Sequence, residues 1–165
     1  MEIPDWKTKL LRLVAICVPV VALDQITKIL VVRSLELGRQ IVLIPGFFAI
    51  SHVHNTGGVF GMGAGEASAG RVLFFLAICA AAGILVLWFY AKTPPTHPWF
   101  ASGLCLVFGG AIGNALDRAR LGEVVDFLDF QIRGHHWPSF NVADAAITVG
   151  VVILVLHFLL KKEPF

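Results

Sequence analysis

The chain has 165 residues, of which 57% are hydrophobic and 15% charged, and its mean hydropathy is +0.80; soluble domains run at about 45–50% apolar. This excludes an ordinary soluble domain and fits one domain, residues 1–165, held in a membrane. The formal net charge of +2 offers no electrostatic case for binding nucleic acid.

In chain order, the first apolar run is Leu10–Val32, interrupted by Arg12, Asp24 and Lys28. Lys7, Lys9 and Arg12 give its start the look of a signal peptide, but Asp24-Gln25 stands where a small-residue cleavage site would be, so it reads as a retained helix over 10–32. Residues 33–71 follow on the far side. Within them, IVLIPGFFAISHVHN alternates loosely and breaks at Pro45-Gly46, as two strands joined by a turn do. The next piece, NTGGVFGMGAGEASAG, is rich in glycine (Gly57, Gly58, Gly61, Gly63, Gly65), a composition suited to a moving lid. Val72–Tyr90 is nineteen residues without a charge, close to the ~20 that span a bilayer core, and predicts a helix over 72–90. Trp99–Leu116 predicts another over 99–116. The segment 117–143 then carries VVDFLDF, a strand-like piece, and the turn material RGHHWPS. Asp144 abuts a run, Ala145–Leu160, in which only His157 can carry charge, the fourth helix, 144–160. Trp137, Phe140, Phe47 and Phe48 suit the interfacial depth that aromatic rings favour.

Four crossings put both termini on one side. Lys7, Lys9, Arg12, Lys92, Lys161 and Lys162 crowd that side, so the positive-inside rule places the termini in the cytoplasm. Cys17, Cys79 and Cys105 lie in apolar runs and are odd in number, reading as buried hydrophobes rather than a disulfide framework.

Polar residues at membrane depth are costly and face a bundle interior or a cavity. Asp24 and Lys28 share a helix face, as do Asn114 and Arg118; Asn141 and Asp144 are three apart at the start of the last helix. Each has a plain structural alternative: an intrahelical ion pair, a helix end among headgroups, and a helix N-terminus favouring a carboxylate at Asp144. Gly109 and Gly113 have the spacing of close helix packing. His135-His136 lack companions at ligand spacing and read as a wet loop, so no metal is expected. Asp126 and Asp144 are either unrelated carboxylates or a pair.

Five blocks in order, DQITK (24–28), HNTGGVFG (54–61), GGAIGNALDR (109–118), VVDFLDF (124–130) and FNVADAAI (140–147), resemble the lipoprotein signal peptidases (signal peptidase II), bacterial membrane aspartyl proteases. The resemblance covers most of the chain. It implies a mainly α membrane protein of four transmembrane helices, with a small β-sheet and a loop or helix segment on the outer, periplasmic face of the inner membrane. It implies an endopeptidase that removes signal peptides from diacylglyceryl-modified prolipoproteins, cutting on the amino side of the lipidated cysteine, without a cofactor. Asp126 and Asp144 match the family's catalytic pair. Asn55, Gly110, Asn114, Arg118 and Asn141, with Asp24 and Lys28, match positions lining or supporting its site. Membrane lipids and cyclic peptide inhibitors such as globomycin are the further partners implied. Paired carboxylates suit such hydrolysis, because two close together hold one proton between them and supply both base and acid. The rival readings are a small ion- or solute-pathway protein, which would carry charge mid-helix, and a non-catalytic membrane partner protein.

Overall fold

The computed structural model describes residues 6–57 and 69–160; the predicted lid glycines other than Gly57 lie outside them. Helix α1 runs Trp6–Ser34, strands β1 and β2 Gln40–Ile44 and Phe48–Asn55, helices α2 and α3 Ala69–Lys92 and Pro98–Leu121, strands β3 and β4 Val124–Ile132 and His135–His136, and helix α4 Val142–Leu159. All four helices are long and apolar enough to cross a membrane. Half of the most apolar stretch of α3 is buried within the protein, against 22% or less for the others. The third helix is therefore the hub on which α1, α2 and α4 pack. The other three leave residues such as Leu11, Leu30, Leu73, Phe74, Ile84 and Leu159 exposed, a surface that only lipid solvates without cost.

The first three helices outrun the apolar stretches that predict them at both ends, and the largest overrun at one end is at the close of α3. It continues past Leu116 through Asp117, Arg118 and Arg120, so the segment after 116 opens as helix. Hydropathy marks where apolar side chains stop, but a backbone helix stops at a cap. Here the cap is Gly122, at φ 78, whose N–H donates to the Arg118 carbonyl, a left-handed end that costs glycine nothing.

Helices approach closely where glycines remove side chains. A Cβ at Gly113 would stand 2.7 Å from Asp24 Oδ2 and 3.1 Å from Ala143 Cβ, and one at Gly109 would stand 3.2 Å from Cys17 Cα. A Cβ at Gly110 would press on the Ala143 carbonyl oxygen and lie 2.7 Å from Ile147 Cγ1. That backbone cannot swing aside as a flexible side chain could. Gly110→Ala is expected to lower stability by about 1–3 kcal/mol, read as a lower thermal midpoint in detergent; an unchanged midpoint would mean that α3 and α4 do not set their spacing here.

The sheet is antiparallel in the order β1-β2-β3-β4. Phe48 stacks on Phe130 at 4.7 Å, Phe130 on Phe140 at 5.9 Å, and Phe47 meets Phe130 edge-on at 5.6 Å. This aromatic stack ties β2, β3 and the approach to α4 together. Beyond β4 the chain turns back, and Phe140 bridges to Leu128, its carbonyl accepting from the N–H groups of Phe127 and Leu128. The next residue, Asn141, is thereby set beside the middle of β3. His135-His136, expected as loop, form β4; they are exposed, and His136 Nδ1 lies 2.9 Å from Asp129 Oδ1. His157 is buried at the opposite end of the bundle against the rings of His97 and Phe100. All three cysteines are free thiols; Cys17 and Cys105 are buried and Cys79 is partly so.

Candidate active site

Asn141 is the residue on which the site is assembled. It caps α4: its side-chain oxygen accepts from the Asp144 N–H at 2.9 Å, and its own N–H donates to Asp144 Oδ2 at 3.3 Å. This reciprocal box satisfies two N-terminal groups of the helix at once. The cap is therefore Asn141, and Asp144 occupies the third helical position, where the positive end of the helix dipole favours its charge. With its oxygen committed to the helix, the Asn141 amide nitrogen points the other way, to Asp126 Oδ1 at 2.7 Å.

Asp126 projects from β3, is 3% exposed, and accepts a second hydrogen bond at Oδ2 from Asn55 Nδ2, 3.2 Å away on β2. Asp144 Oδ1 accepts from Asn114 Nδ2 of α3 at 2.7 Å. The Asn114 oxygen receives both Asn141 Nδ2 at 3.2 Å and Lys28 Nζ at 3.2 Å, so its NH2 is left to face Asp144. Three asparagines thus hold two carboxylates that no regular element brings together: Asn141 and Asn114 are oriented by each other and by Lys28, and Asn55 by the Gly57 N–H. Burial pushes the Asp126 carboxyl up to about 7, and the neighbouring Asp144 charge adds to the rise; the Asn55 and Asn141 hydrogen bonds and Lys28 oppose it.

Beneath this layer lies a second, made of charges. Lys28, 2% exposed, spends its ammonium on Asp24 Oδ2 at 2.8 Å, Asp117 Oδ2 at 2.8 Å and Asn114. The Asp24–Lys28 intrahelical ion pair exists, and α3 adds a third member to it. Asp24 Oδ1 accepts from the Ala143 N–H at 2.9 Å, and Asp117 Oδ2 accepts from the Val125 N–H at 3.2 Å. One carboxylate thus holds the residue before Asp144 and the other the residue before Asp126. Gln25 Nε2 donates to Asp117 Oδ1 at 2.9 Å and to Asp24 Oδ2 at 3.2 Å.

Asp117 and Gln25 were not singled out from the sequence. The signal for Asp117 was there: it follows Asn114 by three and Gly113 by four, one helix face. Arg118, expected among the site residues, sits at the rim. Its guanidinium donates to the Gly57 carbonyl at 3.0 Å and lies 5.2 Å from the Phe75 ring centroid, while Gly57 N–H donates to Asn55 Oδ1 at 2.9 Å. Gly110 gives no polar group; it lets α3 reach the backbone just before Asp144. Among the described residues no group of three or more His, Cys, Asp or Glu is arranged to hold a metal ion.

A buried carboxyl set to keep its proton near neutrality, a second carboxylate at a helix N-terminus beside it, and amide donors around both can hold a water molecule and move protons in two directions. The chain as a whole has counterparts among known proteins. The profile of the Signal peptidase (SPase) II family matches residues 16–160. The chain is 46% identical over 155 residues to the lipoprotein signal peptidase of Desulforapulum autotrophicum, covering 94% of this chain and 96% of that one. It is 44% identical over 150 residues to the lipoprotein signal peptidase of Symbiobacterium thermophilum, covering 91% and 95%. Two solved structures of a bacterial membrane enzyme, obtained by the in meso method at 2.3 and 1.9 Å resolution, are similar with TM-scores of 0.82 and 0.80 and identities of 31% and 33%. The first similarity covers 99% of this chain and 96% of that one, the second 98% of each.

Proposed function

Because this chain belongs to the signal peptidase II family, we propose that it cleaves signal peptides from lipid-modified prolipoproteins as an aspartic endopeptidase, with Asp126 and Asp144 as the catalytic pair. It is a multi-pass membrane protein and a peptidase of lipoprotein processing. The observation that carries the aspartic reading is that Asn141 hydrogen-bonds both carboxylates at once, to Asp126 Oδ1 at 2.7 Å and to Asp144 Oδ2 at 3.3 Å.

The pair holds one proton, resting on Asp126, whose carboxyl is pushed up to about 7. Asp144 is the base. It takes a proton from a water molecule whose oxygen attacks the scissile carbonyl carbon, while Asp126 gives its proton to the carbonyl oxygen. When the tetrahedral diol collapses, the C–N bond breaks, the leaving nitrogen receives a proton from Asp144, and one diol hydroxyl returns its proton to Asp126, which restores the pair. The products are a signal peptide ending in a new carboxyl group and a lipidated cysteine with a free amine. The Asn55 and Asn114 amides beside the pair orient the substrate backbone or the developing oxyanion.

The depth of the pair suits the substrate. A diacylglyceryl group stays in the bilayer and a signal peptide is itself apolar, so the scissile bond is presented at the membrane surface, where Asp144 begins α4. Lysine and arginine density supports cytoplasmic termini and a site at the outer face of the inner membrane, and globomycin-type peptides are expected to occupy it. A transport path is disfavoured because the buried charges cluster around the outer ends of α1, α3 and α4 and are engaged with one another there.

Purified enzyme is expected to cleave a diacylglyceryl-modified prolipoprotein and leave the unlipidated precursor largely intact; equal cleavage of both, followed by gel shift, would remove the lipid requirement. The pH profile has a sign. A carboxyl whose pKa lies above its ordinary value keeps its proton until pH passes about 7, so kcat/KM should fall as pH rises through that value and hold below it until Asp144 protonates. A profile flat from about pH 6 to 9 would contradict Asp126 as the proton donor.

A further inference from the structure

On β2, one residue before Asn55, the chain reads His52-Val53-His54. Residues two apart on a strand share a face, and the two imidazoles meet there with Nε2 atoms 3.1 Å apart. Each ring's other nitrogen is already engaged: His52 Nδ1 with the Leu35 carbonyl at 2.9 Å, and His54 Nδ1 with Glu123 Oε2 at 2.8 Å. Both partners are acceptors, so both Nδ1 atoms donate, and each neutral ring presents a bare lone pair at Nε2. Two lone pairs facing each other at that distance repel unless a cation lies between them.

We propose that His52 and His54 form a binding site for a divalent first-row transition-metal ion of the zinc class. Two nitrogens each about 2.0–2.1 Å from a tetrahedral zinc stand about 3.3 Å apart, close to the spacing here. The ring centroids are 5.0 Å apart with the planes inclined by 60°, and both Nε2 atoms face the one gap between the rings. A backbone carbonyl on one Nδ1 and a carboxylate on the other are the outer partners that metal-binding histidines use to fix tautomer and orientation. His52 is 5% exposed and anchored through its backbone N–H to the Arg39 carbonyl at 2.9 Å. The His54 and Glu123 side chains are 26% and 23% exposed, which gives an ion entry. With two protein ligands, water fills the remaining positions. Soft thiolate-seeking ions and hard oxygen-seeking ions are both poorly served by two imidazoles.

The test is a titration of tag-free, full-length enzyme in detergent with Zn²⁺, and with Co²⁺ for its visible ligand-field bands. One equivalent is expected to bind saturably at submillimolar concentration. His52→Gln and His54→Gln should each weaken it at least about tenfold, and Glu123→Gln about tenfold through loss of the outer partner. His135→Gln should leave it unchanged. Because partly exposed His54 is the safer substitution for folding, its variant is checked by circular dichroism and by binding of a globomycin-type peptide. Absence of saturable binding overturns the proposal and leaves a shared proton as the occupant of the gap. So does affinity that survives His54→Gln in folded protein, or that depends on His135.

Discussion

Asp126→Asn and Asp144→Asn are each expected to reduce cleavage of a lipidated prolipoprotein by at least about 1000-fold, the range lost when a positioned acid or base is removed. Both exchanges keep shape and volume. At Asp126 the new amide faces Asn55 and Asn141, both donors, yet it can present its oxygen to one of them; at Asp144 the oxygen that caps α4 can likewise be retained. The variants should therefore fold, and should still bind a cyclic peptide inhibitor. Retention of turnover within about tenfold by either variant would remove that residue from the pair. Loss of both folding and inhibitor binding would show it to be structural instead.

Lys28→Met tests the layer beneath. Methionine fills the space of the lysine stem but leaves Asp24 and Asp117 buried and facing the same gap without a cation. Removing one partner of a buried ion cluster costs about 3–5 kcal/mol, because the charges left behind cannot be hydrated. The thermal midpoint should fall steeply, and Lys28→Met combined with Asp117→Asn should recover part of the loss, since one stranded charge is then gone. A midpoint equal to the parent's would mean that the carboxylates are not ionised together. Turnover should fall as well, because Lys28 directs the Asn114 amide toward Asp144.

Much of the fold is legible in the sequence because lipid imposes a simple rule: uncharged stretches of about 20 residues cross it. The same rule misplaces the end of α3. Asp117, Arg118 and Arg120 end an apolar run, while the helix ends at Gly122, where the backbone turns left-handed. The two strands on either side of Pro45-Gly46 and the strand in VVDFLDF announce themselves by alternation and breakers. Of the site, the residue types and the spacings within each helix were readable, and so was the family resemblance. The residues alone left open whether Asp126 and Asp144 meet, because their meeting depends on the chain reversal that sets Phe140 against Leu128. Asp117 was passed over for a related reason. A charge at the end of an apolar helix looks solvated until Lys28 arrives from a different helix to bury it. His52 and His54 escaped notice because adjacency across a strand face becomes significant only once Leu35 and Glu123 occupy the far sides of the rings.

The capping box at the start of α4 has a consequence for how this corner can fail. The amide that closes the first helical turn is the same one that grips the acid on the sheet. Fraying that turn would pull one acid out of line and let go of the other in a single motion. Local order and chemical competence are therefore one variable at Asn141, and a partly assembled, partly active corner is not a state this arrangement provides.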